Sequence, residues 1–197
     1  LIGMAIKPAL PIYALNVSMD DTESGVSFVA LVDHPAIERN FQKFDAQTPQ
    51  YKFEMISEEK QIISGALMLA DTPIYRKDKM GEYYVTFSAD SISNIVKKFF
   101  KQGNTANVNE MHNPNKIADG VYMFESFIID TERMTAPKGF EDLPNGSWFG
   151  SYKVDNPDIW AQIKAGTFMG FSVEGNFIPN INEDKALLDE IMRIIAQ

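Results

Sequence analysis

Residues 167–178, TFMGFSVEGNFI, decide how this chain is read. The run is short, apolar and rich in aromatic and β-branched residues, so it predicts a buried β-strand. Side chains alternate along a strand. Ser172 therefore shares a face with Gly170 and Glu174, while Phe171 and Val173 face the other way. Gly170 leaves space beside the hydroxyl. A serine hydroxyl is a poor nucleophile at neutral pH unless a neighbouring base takes its proton, and imidazole is the usual base. The chain has two histidines. His34 precedes Pro35 and reads as an exposed residue of a strand-ending turn. His112 closes Asn109-Glu110-Met111-His112 at the end of a strand, beside the polar loop Asn113 to Lys116. Strand ends and the loops after them commonly carry function. On spacing alone Ser172 also fits an ordinary strand serine bonded to backbone, and His112 a structural one. The second glycine comes one residue too late for the G-x-S-x-G nucleophile elbow, which argues against an α/β-hydrolase.

Outward from that strand, residues 10–17, 25–33, 61–70 and 82–87 read as strands, and 40–60 as polar and mixed. A helix is predicted from Ser88, its N-cap, with Ile92, Ile95, Val96, Phe99 and Phe100 on one face and Gly103 ending it. Thr105 to Glu110 and Gly120 to Ile129 read as a strand pair around His112. Residues 131–146 carry Pro137, Gly139, Pro144 and Gly146 and read as a mobile surface loop. Ser147 to Val154 is a further strand. Asn156 caps a second helix with Pro157 at its first position, ended by Gly166. Asn182 caps a C-terminal helix carrying Leu187, Leu188, Ile191, Met192 and Ile195 on one side. Many short strands with a few interleaved helices, and no glycine-rich phosphate loop, predict an α+β domain: a curled or closed, mostly antiparallel β-barrel with helices packed around it. Residues 1–197 read as one domain, with 1–60 as an N-terminal extension of the barrel and 183–197 as the C-terminal helix.

Composition narrows the function. The 197 residues are 45% hydrophobic and 23% charged, which suffices for a real core. A formal net charge of −9 argues against a broad nucleic-acid surface. With no cysteine, thiolate metal sites and cysteine nucleophiles are excluded. No second histidine lies at metal-ligand spacing from His112, so neither a metal nor a cofactor is expected. No apolar run approaches the roughly 20 residues that span a bilayer, and the prolines at 8 and 11 interrupt what would be a signal core.

Four segments carry a resemblance: SFVALVDHPAIERNF (27–41), ISGALMLADTPIYRKDKMGEYYVTFSADSISNIVKKFF (63–100), VNEMHNPNKIADGVYMFESFIID (108–130) and NGSWFGSYKVDNPDIWAQIKAGTFMGFSVEGNF (145–177). In this order they resemble the XkdF-type prohead serine proteases of tailed phages. The resemblance implies a herpesvirus-assemblin-like fold with Ser172 as nucleophile and His112 as general base. It implies a serine endopeptidase that cleaves phage scaffold and major capsid protein, and itself, inside the immature head in the host cytoplasm, or its prophage equivalent. A homo-oligomer is compatible with this; membrane and nucleic-acid partners are not expected. In the herpesvirus relatives the third catalytic group is a histidine after the serine, and none follows Ser172 here. Glu125, Glu174 and Asp130 stand as the candidates. Glu174 shares the face of Ser172 but sits about 7 Å along the strand, so it could point past the imidazole. The oxyanion donors are expected in Pro179 to Asp184. A catalytically silent head-assembly or scaffolding module with the same fold is the competing reading, and an esterase or amidase using the same pair is a remoter one.

Overall fold

Strand pairing explains most of the architecture. The computed structural model describes residues 10–33, 52–78 and 81–177. The sheet that carries Ser172 runs β11-β2-β7-β8, formed by Gly170–Asn176 (β11), Gly25–Val32 (β2), Val108–Glu110 (β7) and Asn113–Ile117 (β8). A second sheet runs β3-β4-β10-β9, from Glu54–Ser57 (β3), Ile62–Met68 (β4), Trp148–Val154 (β10) and Val121–Ile128 (β9). The third joins Ile12–Leu15 (β1), Gly81–Phe87 (β6) and Ile74–Asp78 (β5) in the order β1-β6-β5. Parallel pairs β1–β6 and β2–β7 make two of the sheets mixed. The protein is thus α+β and mostly antiparallel. Among the described residues no sheet closes into the barrel that the sequence suggested.

Phe171 shows how the strand of Ser172 is seated. It leaves β11 on the face opposite Ser172, and its ring centre lies 4.8 Å from that of Tyr152 on β10 and 5.2 Å from Phe53. Gly65 on β4 permits this approach: a Cβ there would sit 3.0 Å from Phe53 Cα and 3.3 Å from the Phe171 ring. Burying such a side chain contributes about 1.5–3 kcal/mol, so Phe171 fastens the first sheet to the second.

Helix α1 (Ala89–Lys101) buries Ile92, Ile95 and Phe99, and Phe99 meets Trp148 edge to face at 5.1 Å. Ser88 Oγ accepts from Ser91 N at 3.2 Å, as its role as N-cap requires. Phe100, placed on the buried face by periodicity, is exposed instead, and Lys98 is the residue that goes inward. Its ammonium donates to the carbonyls of Ser18 and Asp21 and so ties the β1–β2 connection to the helix. In α2 (Pro157–Lys164), Asn156 Oδ1 accepts from Asp158 N and Ile159 N.

Several local expectations are corrected. The segments 105–110 and 120–129 do not pair with each other: β7 pairs with β2 and β8, and β9 with β10. The polar loop after His112 is an edge strand, β8, and β3 lies in the stretch read as polar and mixed. Residues 131–146 are irregular but packed, because Phe140 and Leu143 bury themselves against Ile129 and Phe149. β2, inside the segment read as an extension, lies between β11 and β7. His34, the loop at 179–184 and the helix at 183–197 lie outside the described residues.

Candidate active site

Ser172, Ala30 and Asn109 form one row across three strands: Ser172 is opposite Ala30, and Ala30 opposite Asn109. Opposed residues share a face, so the side chains of Ser172 and Asn109 emerge on the same side about 10 Å apart. Glu174, two residues beyond Ser172, joins them on that face. Ser172 is 3% exposed. Among the described residues its strand stands at the edge of the sheet, paired only with β2.

His112 reaches this face through an unusual turn. Glu110 and Asn113 are paired, leaving Met111 and His112 as a two-residue hairpin connection. Both have positive φ, 52° and 56°. Positive φ at both central positions is the mark of a type I′ turn, which ordinarily takes Asn-Gly. Two side chains without glycine's freedom in the left-handed region store strain. The turn is fastened by Met111 N, which donates to Leu31 O at 2.9 Å.

The strained turn puts the imidazole on Glu174. His112 Nδ1 lies 2.9 Å from Glu174 Oε1, with the histidine side chain 45% and the glutamate 29% exposed. A carboxylate only accepts, so Nδ1 carries a proton; in the neutral imidazole that leaves the lone pair on Nε2. The same Oε1 accepts from Asn109 Nδ2 at 2.7 Å. Among the described residues Ser172 Oγ makes no hydrogen bond to His112.

The other carboxylates serve elsewhere. Glu125 Oε2 accepts from Ser151 Oγ at 2.6 Å, and Ser151 in turn accepts from Ser64 at 2.7 Å, within the second sheet. Asp130 accepts from Arg133 Nε at 2.6 Å and from Glu132 N in a surface turn. Arg133, foremost, holds its carboxyl below the ordinary carboxylate range. Of the three sequence candidates, the structure brings only Glu174 to His112. Sequence reading passed over Asn109, because in the mostly polar run Thr105 to Glu110 nothing local marks it out from Asn107 or Glu110. Among the described residues no cluster of three His, Asp or Glu could hold a metal, and no helix is long and apolar enough to cross a membrane.

No curated protein and no solved structure matches the chain. A family model described as "Putative phage serine protease XkdF" matches residues 52–178, a span that holds Asn109, His112, Ser172 and Glu174 but not β2. That span is more than half of the sequence, and the chain belongs to this phage serine protease family.

Proposed function

We propose that this chain is the serine endopeptidase of phage head maturation, with Ser172 as nucleophile, His112 as general base and Glu174 as the group that orients the imidazole. The observation that carries this reading is the 2.9 Å contact between His112 Nδ1 and Glu174, on the sheet face of Ser172. In the neutral imidazole this contact favours the tautomer that a base needs, with the lone pair on Nε2.

In the reaction Ser172 Oγ attacks a peptide carbonyl carbon while its proton passes to His112 Nε2. Glu174 stabilises the imidazolium that forms. Collapse of the tetrahedral intermediate expels the amine, which takes the proton from Nε2, and leaves an acyl-enzyme. Water, activated by the same nitrogen, then hydrolyses the ester and restores Ser172. Without substrate the serine and imidazole are not bonded to each other; such bonds commonly tighten only in the substrate complex.

The substrates under this reading are scaffold and major capsid protein, with self-cleavage, inside the immature head in the host cytoplasm. The family resemblance supports this and also supports closure of the sheets into an assemblin-like barrel. The unbonded serine favours a second reading, a silent head-assembly module. Co-expression with a scaffold separates the two: wild type processes scaffold and itself, and Ser172→Ala does neither while keeping its fold. Processing that persists in Ser172→Ala overturns the assignment.

A further inference from the structure

We infer that Asn109 is a positioning residue, one that sets Glu174 and through it the imidazole of His112. This rests on the reading of Glu174 as the group that orients His112. Asn109 is 1% exposed, in the middle of β7, among Val29, Ala30 and Val108. Its Nδ2 donates to Glu174 Oε1 at 2.7 Å, the oxygen that also faces His112 Nδ1 at 2.9 Å. The orientation of the amide is forced. A carboxylate cannot donate, so the NH2 group must face it, and Oδ1 is turned away. That Oδ1 is buried and has no hydrogen-bond partner among the described residues.

A buried, unsatisfied acceptor is destabilising. An apolar side chain would fill this position more stably, so what the asparagine contributes is its donor. Glu174 needs one. It stands at an irregularity in the β11–β2 register, just before Gly175, and is partly exposed; among the described residues its carboxylate meets only Asn109 and His112. Asn109 and His112 belong to one hairpin. Two donors on that hairpin meet a single oxygen, so the position of β7 sets where the carboxylate meets the imidazole.

The test is a double-mutant cycle on the full chain with two readouts. One is the rate of Ser172 labelling by a fluorophosphonate. The other is the fraction of neutral His112 in the Nδ1–H form, read from ring 15N shifts; the second histidine, His34, is told apart with His112→Gln. Asn109→Ala, and the similarly sized Asn109→Leu as a check on folding, are expected to slow labelling about ten- to a hundredfold. Both are expected to shift His112 toward the Nε2–H form. In a Glu174→Ala background neither substitution changes either readout more than twofold. Overturning results are an unchanged tautomer and rate in Asn109→Ala, or equal losses with and without Glu174. If the parent is not labelled at all, the protease reading fails, and the tautomer cycle alone still decides for or against Asn109.

Discussion

Replacing Met111 with asparagine should stabilise the protein without touching its chemistry. Met111 and His112 both sit at positive φ in the turn between β7 and β8. The left-handed region disfavours an ordinary L-residue by roughly 1–2 kcal/mol, and asparagine is one of the few that visits it routinely. Glycine would relieve the same strain but lose about 0.5–1 kcal/mol through its greater freedom when unfolded. Met111 is 40% exposed, so losing its side chain forfeits only part of a buried methionine's packing. The net expected gain for Met111→Asn is about 1 kcal/mol, which raises the melting temperature of a chain this size by about 2–4 °C. Met111→Val, β-branched and a poor fit at positive φ, should lower stability by about 1–3 kcal/mol. Chemical denaturation measures both, with unchanged m-values confirming that only stability moved. The fluorophosphonate labelling rate of Met111→Asn should stay within twofold of wild type, because the turn is preserved. If the asparagine variant is no more stable and the valine variant is harmless, the turn is not left-handed in solution, and the placement of His112 described above is wrong.

Further outcomes follow from the same geometry. A Cβ on Gly175 would lie 1.9 Å from Gly25 O, so Gly175→Ala must push β11 off β2; it should destabilise by at least about 1–3 kcal/mol in urea and slow labelling, since Ser172 and Glu174 ride on that strand. Tyr152→Phe removes a buried hydroxyl with no partner among the described residues, and at pH 8 should match or exceed wild-type stability. Burial pushes the Tyr152 hydroxyl well above its ordinary value of 10.0. The unfolded chain releases that proton near pH 10 and the native one does not, so its share of stability is intact below pH 10 and lost above it; Tyr152→Phe should show a shallower alkaline fall by that one proton. Glu125→Gln should leave the labelling rate within twofold, because Glu125 is bound to Ser151 on another sheet.

Elements with local signals were legible in the sequence. Ser88 and Asn156 announced their helices because capping is a short-range bond. The β11 strand was clear because alternation and glycine spacing are local. Partner choice was not: β7 has only three residues and pairs in parallel with β2, some eighty positions earlier, which no local pattern encodes. The turn at Met111-His112 was missed because its sequence lacks the Asn-Gly signature, and tertiary bonding to Leu31 holds it against its own preference. Phe140 and Leu143 were hidden inside a proline- and glycine-rich stretch whose composition suggests solvent. Within the site, alternation placed Glu174 beside Ser172, but which carboxylate meets His112 depends on sheet order and could only come from coordinates.

The most direct test of the central claim is the site of fluorophosphonate attachment, mapped by mass spectrometry on the intact chain. One adduct per chain on Ser172, abolished by His112→Ala and slowed by Glu174→Ala, is the expected result. An adduct on another serine, or undiminished labelling of Ser172 without His112, would contradict it.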